Sequence, residues 1–134
     1  MPDPGEKIRK GWHSRLVGST NPFNTVIGSQ LYFMIAPKGI DAPYSVFSLL
    51  PINPSRDSAN KFYKCVIQCN HYAETEGDCE QIVSYYYDRM EDCETDLIID
   101  GFKVNRVERE PQIPLGYVNK LWGIATQYRL EIQT

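Results

Sequence analysis

No stretch of this 134-residue chain approaches the roughly 20 consecutive apolar residues that cross a bilayer. Its N-terminal MPDPGEKIRKGW is too polar for a secretory leader, so neither membrane insertion nor export is expected. The chain also lacks G-x-S-x-G, a P-loop, H-E-x-x-H and a glycine fingerprint following a strand, which leaves no recognised catalytic constellation. Histidine is scarce. His13 falls among charged residues and His71 at a strand end beside Tyr72, so each reads as a surface or partly satisfied side chain and no enzyme activity is expected. A surplus of positive charge is missing as well: the net charge is −3 and the pI near 5.4, so nothing global attracts nucleic acid. Lys61-Phe62-Tyr63-Lys64 interleaves basic and aromatic residues, but one such tetrad is a weak signal for single-stranded nucleic acid. There is no internal repeat, low-complexity tract or composition break, and 42% of the residues are apolar, so a single domain over 1–134 is expected.

The four cysteines argue for a reducing compartment. Cys65 and Cys69 lie roughly 13 Å apart along one strand face, and Cys79 and Cys93 roughly 21 Å apart along a helix, beyond disulfide reach. A strand-to-helix bridge stays geometrically open, but each cysteine falls on an apolar face and reads as a core thiol. The short Cys/His spacings of a zinc site are absent, and carboxylates confined to one helical face do not converge on a cation, so no metal or cofactor is expected.

What is present is strong periodicity. Asp3 as N-cap, Pro4 and Glu6 open a first helix that carries Ile8, Trp12 and Leu16 at i, i+4, i+8, with Lys7, Arg9, Lys10 and Arg15 opposite. Trp12 is the expected anchor of this helix on a sheet, and the basic face is read as solvated surface. A strand is predicted over Phe62–Tyr72. The next helix, about Thr75 to Cys93, has Thr75 and Asp78 as a capping pair and buries Cys79, Ile82, Val83, Tyr86, Met90 and Cys93. Its other face is acidic, and Glu80, Asp88, Glu91 and Asp92 are its candidate channel or docking residues. Glu91 and Asp92 sit at the helix end where the dipole disfavours them. Tyr85 and Tyr87 flank the core tyrosine as candidate interface residues.

Leu97-Ile98-Ile99, Asp100-Gly101 and Phe102-Lys103-Val104 read as a tight hairpin with a type I′ turn, ahead of a strand near Phe102–Arg109. From Trp122 the chain alternates, with Trp122, Ile124, Thr126, Tyr128, Leu130 and Ile132 on the buried face. Two turn-rich segments remain, 51–60 and 110–120, expected to be irregular loops that supply contacts through Arg56, Asp57, Ile113 and Leu115. The predicted fold is α+β: an antiparallel sheet with an N-terminal helix and a second amphipathic helix packed on it.

Residues 31–50, LYFMIAPKGIDAPYSVFSLL, carry the most distinctive pattern. Leu31–Ile35 forms a short strand, Pro37 removes a ladder donor, Gly39 permits a positive φ, and Pro43 sets up a second strand over Tyr44–Leu50. Read locally, this is a hairpin with a long proline-braced loop. The combination Ala36-Pro37-x-Gly39 with Pro43-Tyr44, set in this order of elements, resembles the tail-terminator or tail-completion proteins of long-tailed bacteriophages. That resemblance implies a structural virion protein: a hexameric ring at the head-proximal end of the tail tube that ends polymerisation and joins tail to head. It also implies itself, the major tail tube protein and the head connector or stopper as partners, and a channel through which genomic DNA passes without specific binding. Other readings of the same residues are a head-side stopper or adaptor, and a small cytosolic protein-binding module whose docking face is the acidic helix with Tyr85 and Tyr87.

Overall fold

The computed structural model describes residues 4–50, 53–56 and 61–134. Its elements run α1 (Pro4–Val17), α2 (Pro22–Ile27), β1 (Leu31–Phe33), β2 (Tyr44–Leu49), β3 (Asn53–Arg56), β4 (Lys61–Ala73), α3 (Glu76–Met90), β5 (Lys103–Arg109), β6 (Ile113–Val118) and β7 (Leu121–Gln133). The long strands β4 and β7 pair antiparallel from Phe62↔Gln133 to Ala73↔Trp122 and form the spine. On the outer side of β4 lie β2 and β3, and on the outer side of β7 lie β5 and β6. One half of the sheet therefore reads β1-β2-β4-β7-β6 and the other β3-β4-β7-β5.

The fold is α+β, with the helices on one face of a mixed sheet. Alternation decides which face. Cys65, Ile67, Cys69 and His71 of β4 and Ile124, Thr126, Tyr128, Leu130 and Ile132 of β7 are buried, whereas Arg129 between them is exposed. Each helix contributes large side chains to that face. The Trp12 ring of α1 lies 5.8 Å from Tyr128, and the Phe23 ring of α2 lies 5.9 Å from His71. Tyr86 of α3 stands between them, 5.9 Å from Tyr128, and its hydroxyl accepts from Trp12 Nε1 at 3.1 Å. Trp12 is thus the anchor expected of it.

The helix ends follow their sequence signals. Thr75 Oγ1 accepts from the Asp78 N–H at 3.1 Å, so the predicted cap opens α3. The helix stops at Met90 rather than Cys93, with Glu91 as C-cap in extended backbone and Asp92 at φ 52°. Cys93 is nevertheless buried beyond the helix end. The Asp3 cap of α1 lies outside the described residues. Helix α2, capped by Asn21 and ended by Gly28 at φ 58°, is an element that the six-residue PFNTVI was too short to announce.

Four local expectations are corrected. Strand β1 runs parallel to β2, with Leu31↔Ser45 and Phe33↔Phe47, so residues 31–49 are not a hairpin and the sheet is not wholly antiparallel. Met34 adopts φ 71° directly after β1, which turns the chain out of the sheet, and residues 34–43 then carry it back to start β2 beside the beginning of β1. Segment 51–60 contains strand β3; Arg56 ends that strand, while Asp57 lies outside the described residues. At 97–104 the turn has a positive φ only at Gly101, 84°, so it is not type I′, and just one bridge, Ile99↔Phe102, forms. Leu97 and Ile99 bury there while Ile98 is exposed, because this segment packs under α1: a Cβ on Gly11 would lie 2.5 Å from the Ile98 carbonyl oxygen. Finally, 110–120 is not irregular. It holds β6, joined to β7 by Asn119-Lys120 with φ 54° and 68°, the paired positive values of a type I′ turn.

Candidate assembly interface

The burial of the polar and nucleophilic groups decides whether the core could act on a substrate. His71 is fully buried, not a surface histidine. Its Nε2 lies 3.0 Å from Thr126 Oγ1, and Thr126 Oγ1 itself donates to the Cys69 carbonyl at 3.0 Å. Thr126 has spent its proton, so Nε2 carries the hydrogen, and Nδ1 accepts from Ser45 Oγ at 2.8 Å. A serine paired to an imidazole would suit nucleophilic chemistry if it were reachable. Ser45, His71 and Thr126 are all sealed from solvent, so the arrangement satisfies polar groups inside the core. Burial pushes the His71 imidazole down to about 3 and keeps it neutral.

The cysteines are all free and buried. Burial raises Cys65, Cys79 and Cys93 to about 11 and Cys69 further, so the thiols stay protonated and inert. Among the described residues no group of three or more His, Cys, Asp or Glu side chains could hold a metal ion. Likewise, no described helix is long and apolar enough to cross a membrane.

The surface then carries the candidates. Glu80, Asp88, Glu91 and Asp92 are exposed, and Glu80, Asp88 and Glu91 follow one helical stripe by spacing. Glu91 is not idle at the helix end: it faces Arg109 at 3.6 Å, and the Arg109 guanidinium lies 4.4 Å above the Tyr87 ring. Tyr85 and Tyr87 are half-buried against the core, with Tyr85 OH accepting from Gln81 Nε2 at 3.3 Å. The four carboxylates are thus exposed and the two tyrosines largely committed to their own fold, with Glu91 and Tyr87 meeting at Arg109.

The motif turn is a braced surface segment. Gln30 Nε2 donates to the Asp41 and Pro43 carbonyls at 3.0 and 2.9 Å, the Ala42–Pro43 peptide is cis, and Gly39 takes φ 80°. Tyr44 stacks near Tyr72, ring centroids 5.1 Å apart, on the sheet face away from the helices. Ala36 is half-buried, and Pro37 lies outward beside exposed Met34 and Ile35.

Ile113 and Leu115 lie on β6, 46% and 38% exposed, and the same strand exposes Tyr117 at 57% and Val118 at 59%. Leu115 leans over Gly123, where a Cβ would come within 3.2 Å of it and 3.1 Å of Tyr72. Sequence reasoning missed Tyr117, Val118, Met34 and Ile35 as surface apolar residues. The available signal was charge: neither 31–37 nor 111–118 contains Asp, Glu, Lys or Arg.

No family model matches this chain, and no curated protein matches it. Solved structures do. One is described as the virion of a native gene transfer agent (GTA) particle; a chain of it is 12% identical, with a TM-score of 0.71 over 91% of this chain and 92% of that one. A second solved chain, 14% identical, has a TM-score of 0.64 over 96% of this chain and 95% of its own length. At these identities the likeness establishes a shared fold across nearly the whole of each chain.

Proposed function

We propose that this protein is a structural component of a tailed-phage-like virion, and specifically a tail terminator that closes the head-proximal end of the tail tube as a hexameric ring. The observation that carries the reading is the end-to-end structural likeness to a chain of the gene transfer agent virion, in agreement with the resemblance of residues 36–44 to tail-terminator proteins. Its partners in this reading are further copies of itself, the major tail tube protein and the head connector or stopper, within a virion assembled in the host cytoplasm. Surface chemistry supports the same view. A protein with a sealed polar core, protonated buried thiols and uncharged apolar strands at its sheet margins is suited to being bound by other proteins. In a ring, the same two unlike patches meet at every boundary. The exposed stripe of Glu80, Asp88 and Glu91 is proposed to line the channel, where like charge repels the DNA backbone and lets it slide.

The test is location. Gold-labelled antibody against this chain should mark purified particles at the junction of head and tail. Label along the tube, on the capsid shell, or on no particle at all would reject the terminator role.

A further inference from the structure

We propose that β6 of one copy adds edge to edge to β1 of the next, so that neighbouring sheets fuse into one continuous sheet around the ring. The inference rests on the ring reading and names the junction within it.

Among the described strands, β1 and β6 end the order β1-β2-β4-β7-β6, so they occupy opposite margins of the same half of the sheet. Solitary edge strands are normally blunted by charge, because an unpaired row of N–H and C=O groups recruits other chains. Neither of these edge strands carries a charge of its own, although β1 is only three residues long and Pro114 with its register shift interrupts β6. Residues 31–37 and 111–118 carry no charged side chain, and the exposed apolar residues Met34 and Ile35 just past the end of β1 answer Tyr117 and Val118 at the end of β6. The two-residue turn makes Val118–Leu121 the hydrogen-bonded pair that closes the hairpin. Alternation then points the backbone groups of Tyr117 away from β7, toward an incoming strand.

Strand direction selects the occupant. β1 runs parallel to β2 and β2 antiparallel to β4; β4 is antiparallel to β7 and β7 to β6. β1 and β6 therefore point in opposite directions. Copies related by rotation about an axis along the strands would bring β6 of one against β1 of the next in antiparallel pairing, the more stable pattern. The two margins differ, so the contact is heterologous and can repeat until a ring closes. A second copy of this chain thus supplies both a partner strand of the required direction and matching uncharged apolar side chains.

The experiment uses Tyr117→Lys and Ile35→Lys, at positions 57% and 79% exposed, studied by sedimentation beside the native chain, with circular dichroism to verify folding. The native chain should associate as concentration rises, and each variant alone should remain monomeric. An equimolar mixture of the two retains one intact junction, β6 of the Ile35→Lys chain with β1 of the Tyr117→Lys chain. It should therefore form a heterodimer and nothing larger. If either variant loses its fold, Val118→Lys and Met34→Lys replace the pair. A native chain that stays monomeric, a single variant that assembles as the native chain does, or a folded mixture that yields no dimer overturns the inference. Its failure is separable from that of the virion reading. Heterodimers in the mixture with no labelled protein in particles defeat the virion reading alone, whereas labelled particles together with edge variants that assemble normally defeat the edge pairing alone.

Discussion

His71 shows how far one side chain's surroundings outrun its sequence context. Read in NHYAE it sits at a strand end near solvent, yet β2 and β7 close over it from both sides with Ser45 and Thr126, partners 26 and 55 residues distant. Nothing local could announce that. The consequence is a pH dependence whose sign follows from linkage. The folded imidazole is pushed down to about 3, whereas an unfolded histidine titrates near its ordinary value of about 6.5. Below about pH 6.5 the unfolded chain takes up a proton that the native chain refuses. The stability supplied by keeping His71 neutral is therefore complete above that pH and declines as pH falls toward the folded value, by about 1.4 kcal/mol per pH unit. Denaturant titrations at pH 7 and pH 5 should differ by about 2 kcal/mol, and the difference should shrink in His71→Gln. An unchanged slope in that variant would assign the acid sensitivity to other groups. The cysteines were easier to read, because each sat on an apolar face and all four are buried.

Among the elements, long periodic segments were legible and irregular ones were not. Ile8, Trp12 and Leu16 repeat on one face of α1 and are buried, and the apolar set of α3 is buried as its spacing requires. Strand β6 was hidden by Pro114 and Gly116, residues that argue against a strand interior. It survives because it is an edge: its register against β7 shifts between those two residues, and Pro114 need not serve a central ladder. The parallel pairing of β1 was unreadable for another reason, since local sequence does not reveal whether a braced turn returns alongside its strand or loops back to its start. Segment 97–99 resembled a strand, but its alternation serves packing under α1. Gly11 makes that approach possible, which gives a prediction at this scale. Gly11→Ala should gain up to about 1 kcal/mol of helix propensity. Its methyl would meet the Ile98 carbonyl oxygen at 2.5 Å, a backbone atom that cannot swing aside, and overpacking of this kind costs about 1–3 kcal/mol. The denaturation midpoint should fall; a rise would show that α1 can lift off the 97–99 segment without loss.

For the whole molecule, the predicted α+β architecture with helices on one sheet face was legible, because it follows from apolar period and element order alone. The exposed apolar positions were legible in part. Ile113 and Leu115 could be named from a proline- and glycine-interrupted stretch, whereas the exposed Met34 and Ile35 gain meaning only when the topology sets β1 and β6 at opposite edges. In the proposed role, this chain ends the tail and joins it to the head through those exposed apolar positions. Replacing Ile113 and Leu115 with Asp changes side chains already 46% and 38% exposed, so the fold should persist with a small loss of stability. An interface side chain that matters typically contributes about 2 kcal/mol or more, and a ring repeats that loss at each boundary. The most direct measurement is electron microscopy of particles assembled when the doubly substituted protein is the sole copy. The expected result is filled heads lying apart from tails of irregular or extended length; normal joined particles, with the substituted protein folded and present, would contradict the account.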